Sequence, residues 1–104
     1  MEYPFALVDV FAEAPLGGNP LAVVAGPPAE ALLPRIAREF HQSETTFVMR
    51  PTRAAADWRL RSFTAAGVEV FGAGHNALGA WWCTETAVTI TGRGIVVAEG
   101  YLHL

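Results

Sequence analysis

Ala77, Leu78, Gly79, Ala80, Trp81 and Trp82 form a run that is small or apolar on every side, and it follows directly on the polar, glycine-rich "FGAGHN". A helix with no polar face has to be enclosed on nearly every side. The chain has 104 residues, enough for one domain, and burial of roughly two thirds of its unfolded surface gives it a real core. The spacing predicts a helix of two to three turns over "HNALGAWWCTE", entered through a loop at Gly72 to Asn76. The first N–H groups of such a helix have no intrahelical partners and carry the positive end of the dipole. Gly74 lets a ligand approach the backbone, and His75 or Asn76 can cap the helix or donate to a carboxylate or phosphate.

The apolar share is 52%, yet no uninterrupted run approaches the ~18 residues of a membrane span. Glu2 and Asp9 interrupt the first hydrophobic segment and no basic region precedes it, so no secretory signal is read and a cytoplasmic location is expected. The seven basic residues are all arginines, scattered along a chain of net charge −3, which argues against a nucleic-acid surface. A single cysteine, Cys83, excludes an internal disulfide or a paired-thiol metal site, so no metal is expected.

The remaining pattern reads as α+β, with mostly antiparallel strands. "YPFALVDVFA" is a first strand, closed by the Pro- and Gly-rich "EAPLGGNP", and "LAVVAG" is a second. "ALLPRIAREFHQ" places Leu33, Ile36, Ala37 and Phe40 at helical spacing, predicting a helix over about 31–42 with Pro34 in its first turn. "ETTFVM" is a β-branched and aromatic strand. "DWRLRSF" alternates Trp58, Leu60 and Ser62 against Arg59, Arg61 and Phe63, as a half-buried antiparallel strand does. "AVTIT" and "GIVVAEGYLHL" are two further strands joined by a "GRG" turn.

Two chemical readings compete. Gly72, Gly74 and Ala77 fit the spacing of a dinucleotide fingerprint, but the required βαβ unit and the acidic residue about twenty positions on are missing. Glu44, in "HQSETTF", stands where helix becomes strand. Alone it reads as a solvated charge, and His75 alone as a capping group; across one pocket the pair could move a proton.

"VDVFAEAPLGGNPLAVV", "RIAREFHQSETTFVMRPT", "DWRLRSFT" and "EVFGAGHNALGAW" together resemble, in order and spacing, the N-terminal lobe of the PhzF-like isomerases of phenazine biosynthesis, relatives of diaminopimelate epimerase. The resemblance implies a single lobe over residues 1–104, its curved sheet wrapped around the central helix at about 75–84 with the helix at about 31–42 outside. Residues 1–83 would form the N-terminal lobe segment, and 86–104 resemble the family's closing C-terminal strands, with the second lobe absent. The sequence departs from the family pattern at Ala65, where a proline is usual.

The resemblance further implies a cofactor-independent proton transfer on a small carboxylate-bearing substrate. Glu44 would be the acid/base residue and His75 its catalytic partner. Gly74 and Asn76, with Ser43 and Asn19, would bind the substrate. A lone lobe exposes the apolar wall that normally meets its partner, so a homodimer is expected to form the cleft. The alternatives are a non-catalytic lobe that folds, binds or dimerises, and a lobe that needs a separate second-lobe chain.

Overall fold

In the computed structural model the described residues are 1–26, 28–50, 59–71 and 94–104. The chain begins with β1 (Glu2–Val10) and β2 (Asn19–Ala25). A short 3-10 turn (Glu30–Leu32) leads into α1 (Leu33–Phe40). Next come β3 (Glu44–Met49), β4 (Arg59–Thr64) and β5 (Glu69–Val70), and the described chain closes with β6 (Gly94–His103). These strands form one sheet in the order β5-β4-β3-β2-β1-β6. All pairings are antiparallel except β2 with β3, whose parallel ladder follows from the α1 crossover between them. The α+β class with mostly antiparallel strands is as expected. The helix expected at about 75–84, the "AVTIT" strand and the "GRG" turn lie outside the described residues.

α1 is shorter than the 31–42 expected. Its first turn is entered from the 3-10 turn, and Pro34 sits at the start, where a missing N–H breaks no intrahelical bond. It stops at Phe40 because His41 adopts the left-handed conformation (φ 52°), donating its N–H to the Ala37 carbonyl at 3.1 Å. The β4–β5 hairpin turns at Gly67, whose φ of 80° no β-branched residue could take cheaply. Its ends are tied by Thr64 N–H to Val68 C=O at 2.8 Å and Gly67 N–H to Thr64 C=O at 2.9 Å.

Strand alternation divides the core between the two faces of the sheet. On the α1 side, Val24, Phe47 and Phe63 pack with Leu33, Ile36 and Ala37, flanked by Phe5 and Phe40. Two edge-to-face ring pairs fix this layer: Phe47 with Phe63, centroids 5.8 Å apart, and Phe5 with Phe40, 5.0 Å apart. On the other face Ala6, Val8, Val10, Leu21, Val23 and Val48 form a second buried cluster, with Leu60 against it. The half-buried reading of β4 is too sparing, because Ser62 and Phe63, on opposite faces, are both buried.

β6 pairs with β1 along its length, with a register shift between Leu7 and Val8. The ladder brings the chain ends together: the Met1 ammonium donates to the Leu104 carbonyl at 2.5 Å, and Leu104 N–H to the Met1 carbonyl at 2.9 Å. Among the described residues no helix is long and apolar enough to cross a membrane.

Candidate functional site

Glu44 is the first residue of β3, three positions after the left-handed His41 that ends α1. Across the parallel ladder it faces Leu21, and across β4 it faces Thr64. Cross-strand partners share a face, so Glu44 lies with Leu21, Val8 and Val48 on the side of the sheet away from α1. The residue is half-buried and its Oε2 is shut off from solvent.

Asn19 and Ser43 meet beside it. Asn19 begins β2 opposite Val10, and Leu21, two residues on, pairs with Glu44, so Asn19 and Glu44 share a face at one end of the sheet. Ser43 Oγ donates to the Pro20 carbonyl at 3.0 Å and lies 3.4 Å from Asn19 Oδ1. This contact spans the gap between the start of β2 and the residue just before Glu44. Both side chains are exposed. Three of the expected site residues, Asn19, Ser43 and Glu44, are therefore brought together by the β2–β3 ladder. Gly74, His75 and Asn76 lie outside the described residues.

Behind Glu44, the same face continues with buried Thr46, two residues on, and Ser62 opposite it on β4. Their hydroxyls are hydrogen-bonded at 2.9 Å. Sequence reading did not single these out; the signal available was the parity of β3 and β4, which puts Glu44, Thr46, Ser62 and Thr64 on one face. On the opposite face are two buried polar groups, Asp9 Oδ2 and Thr45 Oγ1, with no hydrogen-bond partner among the described residues. A groove of ≈ 380 Å³ opens on the Glu44 face but at the other end of the strands, lined by Ala6, Val23, Val48, Val96, Glu99 and Tyr101.

Among the described residues the strongest charge arrangement lies on the α1 side. Arg61 bonds Glu69 through Nε and Nη2 at 2.8 and 3.0 Å, and Glu30 through Nη1 at 2.5 Å. Its guanidinium also stands 5.5 Å from the centre of the Phe63 ring. The Arg61 hydrogen bonds hold both carboxyls below the usual glutamate value, and those carboxylates raise the guanidinium in turn. This cluster ties the 3-10 turn to β5 and serves the fold.

Residues 8–100 match the model of the phenazine biosynthesis-like protein family, PhzC-PhzF. The chain is 46% identical over 82 residues to an uncharacterised isomerase of Pasteurella multocida, covering 75% of this chain and 27% of that protein. To the trans-2,3-dihydro-3-hydroxyanthranilate isomerase of Pseudomonas fluorescens it is 44% identical over 79 residues, covering 72% of this chain and 27% of that one. Among solved structures, a PhzF family protein of Enterococcus faecalis superposes with a TM-score of 0.68 at 33% identity, covering 84% of this chain and 34% of its own. The chain thus spans about a quarter to a third of the length of the relatives it matches.

Proposed function

The chain belongs to the phenazine biosynthesis-like protein family, and on that premise we propose that it is one wall of an isomerase site that moves a proton on a small carboxylate without a cofactor. The observation that carries the reading is Glu44: a carboxylate at the mouth of a parallel strand step, one oxygen sealed from solvent, with the exposed residues Asn19 and Ser43 at the same end of the sheet. A group of that kind can accept a proton from a carbon acidified by a neighbouring carboxylate or conjugated system, and can return it at a second carbon. His75 assists that transfer in this reading. Gly74 and Asn76 offer backbone and side-chain donors to the substrate carboxylate, where oriented N–H dipoles steady the growing negative charge.

The finer architecture belongs to the same proposal: an epimerase-like lobe whose sheet curves around a central helix at about 75–84, paired as a homodimer so that two walls enclose the cleft. A cytoplasmic setting and a phenazine-type or related cyclic amino-carboxylate substrate complete it. The isomerase named in Pseudomonas fluorescens supports the reaction class.

The test is deuterium uptake from solvent into a small cyclic or amino-acid-like carboxylate, with Glu44→Gln as the control. Uptake that disappears in the variant supports the reading, and absence of exchange in the wild-type dimer sinks it. The chain spans about a quarter to a third of its relatives' length, and the second reading is a lobe that is non-catalytic or that completes its site with a separate second-lobe chain. Sedimentation separates these. A monomer at every concentration, inactive alone and active after a second-lobe chain is added, would replace the homodimer.

A further inference from the structure

β6 is the outermost described strand of the sheet, paired to β1 on its inner edge, and none of its residues is buried. The direction of its backbone groups follows from one pair. Leu104 N–H donates to the Met1 carbonyl at 2.9 Å and the Met1 nitrogen to the Leu104 carbonyl at 2.5 Å, so these two residues form a hydrogen-bonded pair. In an antiparallel ladder such pairs alternate with unbonded ones. Leu102, Gly100 and Ala98 therefore direct their N–H and C=O groups to β1, and those of Glu99, Tyr101 and His103 point outward. Pro4, which has no N–H to give, stands opposite Tyr101, in keeping with that parity. Strand edges of this kind are usually blunted by Lys, Pro or a bulge. β6 has no Lys or Pro, and the register shift leaves out only Val97, so the stretch 98–103 runs straight. Its outward residues are exposed, Tyr101 at 61%.

We propose that β6 pairs with β6 of a second copy of this chain, antiparallel about a two-fold axis at Tyr101, so that one sheet runs through both copies. With the axis there, Tyr101 meets Tyr101 and Glu99 meets His103 on either side. Each outward residue finds an outward residue and exchanges both N–H···O bonds with it. The side chains agree, because an aromatic pair and a carboxylate opposite an imidazole are both favourable across strands. His103 Nδ1 lies 3.2 Å from Glu2 Oε1, which leaves Nε2 for the second copy's carboxylate. Moving the axis to Gly100 sets Glu99 against Tyr101 and His103 against the bulged Val97. Moving it to Leu102 leaves Glu99 opposite no residue of β6. This contact is separate from the facing walls of the proposed site and holds whether or not that site is catalytic. Glu44 lies on β3, with β2 and β1 between it and β6, so the two Glu44 carboxylates stand roughly 30 Å apart across the joined sheet.

Two measurements on the full chain test this. The first is sedimentation of the wild type under reducing conditions. A single short strand pair falls in the weak, transient range of interfaces, so the dimer is expected at high protein concentration and not at low. Tyr101→Lys sets two like charges on the axis and is expected to raise the dissociation constant about tenfold or more, with the unfolding midpoint unchanged. The second is disulfide trapping with Cys83→Ala as the parent. A hydrogen-bonded antiparallel pair has Cα atoms about 5.5 Å apart, within disulfide reach. Tyr101→Cys is therefore expected to cross-link with itself on mild oxidation. Glu99→Cys and His103→Cys do so only when mixed with each other, because like positions there are about 13 Å apart along the strands. A wild type that is monomeric at every concentration, a Tyr101→Lys protein that dimerises as wild type does, or trapping of Glu99→Cys with itself as readily as Tyr101→Cys overturns the proposal. A dimer that persists in Tyr101→Lys is held by another surface, so failure of the β6 contact and failure of the facing-wall dimer are seen separately.

Discussion

Arg61 grips Glu69 with two parallel N–H···O bonds, 2.8 Å from Nε and 3.0 Å from Nη2, on side chains only 15% and 27% exposed. Fork-to-fork geometry and partial burial make this pair worth more than an ordinary surface ion pair. Its effect on stability has a definite sign. Bonding to Arg61 holds the Glu69 carboxyl below its ordinary 4.5, so the folded state binds its proton less readily than the unfolded chain does. The stabilisation is fully present above about pH 4.5 and is lost as the pH falls through the lower folded value. Glu69→Gln is expected to lower stability by about 1 kcal/mol at pH 7 and to flatten its decline below pH 4.5. Urea denaturation across pH 3 to 7 measures both. Arg61→Lys does not restore the acid limb, because an ammonium cannot reproduce the fork.

Thr46 and Ser62 make a second, uncharged pair, with hydroxyls 2.9 Å apart and both residues buried on the Glu44 face. Removing one hydroxyl strands the other without water, at a cost of about 1–3 kcal/mol; removing both deletes donor and acceptor together. Thr46→Val and Ser62→Ala are therefore each expected to destabilise by about 1–2 kcal/mol, with the double variant costing less than the sum of the two. A thermal-denaturation double-mutant cycle reads the coupling. Strict additivity would show that the two hydroxyls do not depend on each other.

Among the described residues Phe47 is the largest side chain fully sealed in the core, at 0% exposure, and its ring meets Phe63 at an interplanar angle of 80°. It joins β3 to both α1 and β4, so truncation opens a cavity that no single neighbour can fill. Phe47→Ala is expected to cost about 3–5 kcal/mol and Phe47→Leu much less. Because Phe47 points to the face opposite Glu44, Phe47→Leu leaves Glu44-dependent deuterium uptake unchanged while the unfolding midpoint falls.

Periodicity in the chain carries most of this fold. "ETTFVM" is β3 residue for residue, and Leu33, Ile36, Ala37 and Phe40 give both the helix and the face it buries. The places where reading fell short share a cause, which is that they depend on contacts distant in sequence. His41 ends α1 two residues early by a backbone conformation that nothing in "EFHQS" advertises. The two-residue β5 exists only through Gly67 and its ladder to Ser62 and Phe63. Glu44 was legible as a carboxylate at a helix-to-strand junction. Asn19 and Ser43 are named in the sequence only through the family resemblance, and their contact was not legible, because they are 24 positions apart and meet only when β2 and β3 pair in parallel. The buried polar groups Asp9 and Thr45 were hidden for the opposite reason: strand alternation suggests that one face of each strand is open to solvent, whereas both faces of this sheet carry buried residues.

Gly17 and Gly18 are adjacent in the turn before β2, yet substitution is expected to act on them in opposite directions. A methyl group on Gly17 would meet only the Ala14 carbonyl oxygen, at an ordinary 3.4 Å. Its φ lies outside the left-handed range, so Gly17→Ala mainly restricts the unfolded chain and is expected to stabilise by about 0.4–1 kcal/mol. On Gly18 the same methyl would lie 2.7 Å from Ala12 Cβ, 2.8 Å from the Val10 carbonyl oxygen and 3.0 Å from Asp9 Cβ. None of these is the yielding end of a long side chain, so the backbone has to move, at a cost of about 1–3 kcal/mol. Asn19 is the next residue, paired to Val10, and the displacement reaches it directly. Gly18→Ala is therefore expected to lower the unfolding midpoint, whereas Gly17→Ala raises it. Calorimetry checks both, and a Gly18→Ala protein as stable as wild type would show that the turn accepts a side chain there.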